Sequence, residues 1–180
     1  MSLREITKDL HADAERTVFA KKLVTGSFTK EEYANYLWQM VLVYNGIEVA
    51  ANSQGMLKNL PDIQRAHKIY QDCVELVGPH HNLKWLPETI EYYQYVLALS
   101  YDAERRHLVK AHLYCRHMGD LFGGQIIAKK VPGQGRFYQF KNAENLKTAI
   151  RAELTDDLGD EAKVAFQWAI KIMKALVKDE

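Results

Sequence analysis

The chain has 180 residues, and its 24 Lys and Arg stand against 23 Asp and Glu for a net charge of +1, which argues against nucleic acid as a main partner. That length suits one domain over residues 1–180, with a core large enough to enclose a small molecule. Cys73 and Cys115 show no metal or redox spacing. With no leader pattern, and no stretch near the roughly 18 apolar residues of a membrane span, a soluble cytoplasmic protein is expected.

Taken in chain order, the pattern predicts helices throughout and no strands. The first helix carries Arg4, Thr7, Lys8, His11 and Glu15. Steps of three and four put Arg4, Lys8, His11 and Glu15 on one stripe that Thr7 borders. Ser27 and Thr29 with Glu32 form a capping-box start for a long helix with Tyr36, Leu37, Met40, Val41, Tyr44 and Ile47 on its apolar face. Pro61 and Asp62 open the next, which ends near Gly78-Pro79. Pro87 and Glu88 precede another, with Ile90, Tyr93, Tyr95, Val96 and Leu97. A glycine-containing helix follows, and Pro132-Gly133-Gln134-Gly135 is the clearest loop. Two helices complete the chain, the last starting at Asp160. The fold class is all-α, without repeats or interdomain linkers.

The segment Gly119-Asp120-Leu121-Phe122-Gly123-Gly124-Gln125 is the most informative. Leu108, Ala111, Leu113, Tyr114 and Met118 before it, and Ile126, Ile127, Ala128 and Val131 after it, keep helical spacing. Each helix-interior glycine costs about 1 kcal/mol against Ala, so the three ask roughly 3 kcal/mol of their surroundings. Gly119 and Gly123 lie one turn apart and, with Gly124, bare one face of backbone on which a large flat ligand can lie. Spacing alone fits a turn between two helices equally well. No Lys-Ser/Thr follows the glycines, so this is no phosphate loop. His112, Arg116, His117, Asp120 and Lys129 exclude a membrane packing motif.

Four separated segments decide between these readings: REITKDLHADAE (Arg4 to Glu15), YNGIE (Tyr44 to Glu48), HLYCRHMGDLFGGQ (His112 to Gln125) and KTAIR (Lys147 to Arg151). A weaker fifth is AKVAF (Ala162 to Phe166). With these segments in this order, the chain resembles the biliverdin-forming haem oxygenases. The resemblance implies a single-domain helical bundle holding haem b between a proximal N-terminal helix and a kinked, glycine-rich distal helix. It makes His11 the iron ligand and Glu15 the partner that orients the ring. It makes Asp120 the distal acid, which acts through ordered water rather than by touching the iron, in a network with Arg116 and Tyr44. Gly119, Gly123 and Gly124 face the distal side of the haem. Arg4, Lys8, Tyr114, Lys147 and Arg151 hold the propionates, and Phe166 packs on the ring.

The reaction so implied converts haem and dioxygen, with reducing equivalents, to biliverdin IX-alpha, carbon monoxide and ferrous iron. No flavin or nicotinamide fingerprint is present, so electrons come from a separate protein, ferredoxin before a flavoprotein reductase. A basic rim with Lys8, Lys147 and Arg151 suits an acidic donor. The chain ends soon after its last helix, so the membrane tail of some relatives is not expected. It departs from many relatives in Phe122 (Ser), Cys115 (Thr), His117 (Tyr) and Ala169 (Asn). A haem carrier of the same fold, its turnover weakened by Phe122 and Ala169, is the alternative. The same fold also hosts thiamin-degrading enzymes, which would not require His11. Glu104 and His107 have di-iron spacing but no second copy. His80-His81 fits a solvated loop.

Overall fold

The computed structural model describes residues 2–177. A 24-residue helix, α4 (Lys30–Ser53), forms the axis of the core, flanked by α5 (Ala66–Val77) and α6 (Pro87–Tyr101). It starts where the capping box predicts: the Thr29 amide donates to Glu32 at 2.7 Å, and the Glu32 amide donates to the Thr29 hydroxyl at 3.1 Å. Tyr33, Leu37, Met40, Tyr44 and Ile47 are buried along it, each apolar body worth about 1.5 to 3 kcal/mol removed from water. Gln39 pins the segment before α6 through Lys84 and Leu86 and the first turn of α6 through Thr89, and Pro87 takes the first position of α6.

The N-terminal helix is divided. α1 (Leu3–Ile6) and α2 (Lys8–Arg16) meet at Thr7, whose hydroxyl donates to the Leu3 carbonyl at 2.7 Å. α3 (Val18–Thr25) follows and anchors itself through Phe19 and Leu23. α5 begins later than Pro61-Asp62 predicts. Asp62 adopts a left-handed φ of 65°, and α5 is capped from outside its own sequence: the Glu48 carboxylate on α4 accepts from the Arg65 and Ala66 amides. Gly78, at φ 79°, closes α5 as expected.

The glycine segment is not a turn. Residues 106–127 run through a 3₁₀ turn (Arg106–Leu108), α7 (Val109–Leu113), a π turn (Tyr114–Met118), α8 (Gly119–Phe122) and α9 (Gly124–Ile127). Gly119 and Gly123 both keep right-handed helical angles. The irregularity predicted for this helix therefore lies before the glycines, in the π turn, a feature frequent at functional sites. Gly133 and Gly135 take positive φ in the predicted loop. A 3₁₀ turn, Arg136–Tyr138, then puts Phe137 and Tyr138 into the core, followed by α10 (Ala143–Ala152) and α11 (Gly159–Leu176), whose start is within one residue of Asp160. α11 lies against α2, α3, α6 and α7, linking the N-terminal helices to the glycine run.

Candidate functional site

α2 has an apolar side, yet it buries none of its residues. His11 is thus presented rather than packed away, with 56% of its side chain exposed. Its Nδ1 stands 3.5 Å from Glu15 Oε1, one turn on. A ring that donates from Nδ1 to a carboxylate leaves Nε2 as the free nitrogen, the arrangement suited to an iron ligand. From α11, Phe166 meets the His11 ring edge-on at 5.6 Å between centroids. His11, Glu15 and Phe166 therefore lie together.

On α8, Asp120 is buried, with 8% of its surface exposed. The Tyr44 hydroxyl on α4 donates to its Oδ2 at 2.5 Å. Burial pushes the Asp120 carboxyl up from 3.8 to about 7, with the Tyr44 hydrogen bond and the charges of His117, Arg116 and Arg65 pulling the other way. The same burial, with the Asp120 charge nearby, pushes the Tyr44 phenol well above its usual range, so Tyr44 stays a donor. Arg116 belongs to the same neighbourhood without bonding either residue. Its guanidinium lies 5.6 Å from the Tyr92 ring centroid, while Nε and Nη2 are buried with no hydrogen-bond partner. Two buried, unpaired donors beside a titratable acid are groups that water or a ligand must satisfy.

The glycines divide their work. A Cβ on Gly119 would meet nothing within 4 Å, and one on Gly123 only the Gly119 carbonyl at 3.6 Å. Gly124 differs from the prediction: its missing Cβ points at Tyr138, where it would come within 2.8 Å of Cδ1. Gly124 thus lets α9 close on the core, and the bare face belongs to Gly119 and Gly123.

Arg4 and Arg151 lie near the Tyr114 hydroxyl. Burial raises the Tyr114 phenol, while Thr7, Arg4 and Arg151 draw it back, so residues from α1, the π turn and α10 share one neighbourhood. Lys147 pairs with Glu144 at 2.7 Å. Lys8 is exposed on the first turn of α2.

Several residues here escape sequence reasoning. His117 lies between the Leu113 carbonyl at 3.3 Å and Glu48 at 3.4 Å, its ring 5.0 Å from that of Tyr44. His112 joins Tyr92 at 2.8 Å to Glu161 at 2.9 Å. Both histidines are fully buried on a helix whose sequence looks polar, and only their partners on α4, α6 and α11 explain that. Of the rival sites, His107 pairs with Asp157 at 3.2 Å and Glu104 is exposed. His80 is exposed, whereas His81 packs its edge on Trp38 at 4.4 Å. No group of three His, Cys, Asp or Glu suited to a metal occurs among the described residues.

Fold and site together define an all-helical protein in which an accessible histidine on one helix accompanies a buried, titratable acid beside a bare helix face. The family model described as "Heme oxygenase" matches residues 1–175, and the chain belongs to that family. Among similar proteins, heme oxygenase 1 of Rattus norvegicus is 27% identical over 203 residues, covering 97% of this chain and 70% of that protein. Heme oxygenase 1 of Nostoc sp. is 28% identical over 201 residues, covering 97% and 84%. Heme oxygenase-1 of the cyanobacterium Synechocystis sp., solved in complex with heme, superposes with a TM-score of 0.85 at 26% identity over 97% of this chain and 90% of that one. Heme oxygenase from Leptospira interrogans gives 0.82 at 26% identity, over 97% and 100%.

Proposed function

We propose that this chain is a haem oxygenase that opens haem at the alpha-meso carbon, yielding biliverdin IX-alpha, carbon monoxide and ferrous iron from dioxygen and reducing equivalents. Family membership supports the reaction class. The observation that carries the reading to these residues is the buried Tyr44–Asp120 pair beside the unpaired Nε and Nη2 of Arg116 and the bare Gly119 face. These groups fit haem, with an open helix face for a flat ring, an imidazole with a free nitrogen for iron, and Arg4 and Arg151 near Tyr114 for carboxylates.

Haem b, once bound, supplies the iron at which dioxygen is reduced and is itself the molecule oxidised. His11 serves as the iron ligand through Nε2, and Glu15 fixes its tautomer. Arg4, Lys8, Tyr114, Lys147 and Arg151 hold the propionates, and Phe166 packs against the ring beside His11. Gly119 and Gly123 leave space on the distal side. Asp120, with a carboxyl poised about 7, takes up and releases protons near neutrality, which is the requirement for a general acid or base working through water. Tyr44 holds Oδ2 of that carboxyl in place, and the free Arg116 donors hold the water.

The electron donor is proposed to be ferredoxin, with a flavoprotein reductase as the second choice, docked at the basic rim of Lys8, Lys147 and Arg151. A cytoplasmic setting accords with a chain in which no described helix is long and apolar enough to cross a membrane. The test is direct. Haem is added, then reduced ferredoxin or ascorbate, and the absorbance spectrum is followed. Appearance of biliverdin supports the enzyme, a stable oxygen complex would instead mark a carrier, and an unchanged haem spectrum would refute both.

A further inference from the structure

Phe122 is an exposed side chain of the glycine segment that the site described above does not use. It is a large aromatic residue on α8, 48% exposed, between Gly119 and Gly123. Both cations of α10 stand over its ring: Lys147 Nζ lies 4.2 Å from the centroid and Arg151 Cζ 5.4 Å. Each is within the roughly 6 Å over which a ring face attracts a cation. Lys147 is also held by Glu144 at 2.7 Å, and 13% of its side chain is exposed. Arg151 makes no ion pair with a carboxylate among the described residues, and the Phe122 ring lies beside its guanidinium. Lys147 and Arg151 are one turn apart on α10, and Phe122 joins that face to the helix carrying Asp120.

We propose that Phe122 is a positioning residue: its ring holds Lys147 and Arg151 against the distal helix before substrate arrives, and so couples the seating of the porphyrin carboxylates to the position of Gly119 and Asp120. The proposal rests on the assignment of Lys147 and Arg151 to the propionates. Long, flexible cations lose rotamer freedom when they grip a ligand, and a side chain already held has less to lose. The ring does not compete for the contact it prepares. It engages the flat face of a guanidinium and one side of an ammonium, leaving N–H groups free for a carboxylate. A serine at this position would offer no such face.

Two measurements test this. In the haem-free protein, the ε-methylene protons of Lys147 should show an upfield ring-current displacement in NMR that Phe122→Leu abolishes and Phe122→Tyr keeps. Haem titrations should then show affinity about fivefold weaker in Phe122→Leu and near wild type in Phe122→Tyr. In the Lys147→Ala/Arg151→Ala background, Phe122→Leu should have no further effect. An equal loss in that background would overturn the proposal, since the ring would then act by packing and not through the cations. Absence of the ring-current displacement would overturn it as well. If the double alanine variant binds haem like wild type while the displacement is present, the propionate assignment is what fails, and the coupling falls with it.

Discussion

Replacing Asp120 by Asn should make the haem-free protein more stable, and increasingly so as pH rises. The native carboxyl titrates near 7, against an ordinary 3.8 in the unfolded chain, chiefly because it is buried. Between those values the folded protein binds a proton that the unfolded chain has released, so the contribution of this group to stability falls as pH rises and is fully lost above about 7. At about 1.4 kcal/mol per pH unit, the burden at alkaline pH is about 4 kcal/mol. Asn has nearly the same shape, still accepts from Tyr44 and carries no charge. Urea unfolding of both proteins isolates the term, because the other groups titrate alike in each and cancel in the difference. From about pH 5 to about pH 8 the variant's advantage should grow by roughly 2 to 3 kcal/mol, with equal m-values. A difference independent of pH would refute the account of a buried acid held ready at neutral pH. The same variant should form little biliverdin, so this acid is kept at a cost to the fold.

His11→Ala should leave a folded protein, since α2 buries none of its residues. It should shift the haem spectrum and lose turnover that added imidazole largely restores; a native spectrum with full turnover would refute the ligand assignment. The glycines should respond in opposite ways in thermal or urea unfolding. Gly124→Ala drives a Cβ to 2.8 Å from Tyr138 and should cost about 1 to 3 kcal/mol. Gly119→Ala has free space in the haem-free protein and should gain about 0.5 to 1 kcal/mol while weakening haem binding in a spectral titration. Lys147→Ala with Arg151→Ala should yield a mixture of biliverdin isomers on chromatography, because charge-assisted pairs worth about 1.5 to 3 kcal/mol no longer fix the ring's rotation; one unchanged isomer would assign regiochemistry to the distal helix alone.

The parts of the fold readable in the sequence are those set by neighbouring residues. The Thr29–Glu32 box, Pro87 at the head of α6, Gly78 after α5 and the 132–135 loop each depend on atoms a few positions apart. The start of α5 does not, because its cap is Glu48, seventeen residues upstream of Arg65. Arg65, a charged residue, is fully buried, donating to the carbonyls of Ile63, Phe137 and Gln139 and stacking over Phe140 at 4.1 Å. At the site, the helical stripe brought out His11 and Glu15, and the resemblance brought out Tyr44 and Asp120. Spacing could not say that Gly124 serves Tyr138 or that Phe122 lies under two cations, since both depend on how separate helices meet.

Ala169 sharpens the role left to Arg116. The resemblance leads one to expect an Asn amide at this position, whereas the methyl group here, 9% exposed on α11, can neither donate nor accept a hydrogen bond. The polar groups around Asp120 are then Tyr44, Tyr36, Arg116, His117, Arg65 and Tyr138. Tyr44 is committed to Oδ2, His117 to Glu48 and Leu113, and Arg65 to backbone carbonyls. Arg116 is the cation of this set with buried donors still unpaired. Arg116 thus offers charged donors to any water that relays protons to or from Asp120, alongside the unpaired hydroxyls of Tyr33 and Tyr138. Arg116→Lys keeps the charge but replaces a planar fork with a single ammonium. It should preserve haem affinity while lowering the biliverdin yield per turnover and raising hydrogen peroxide release, and an unchanged yield would return the water to some other holder.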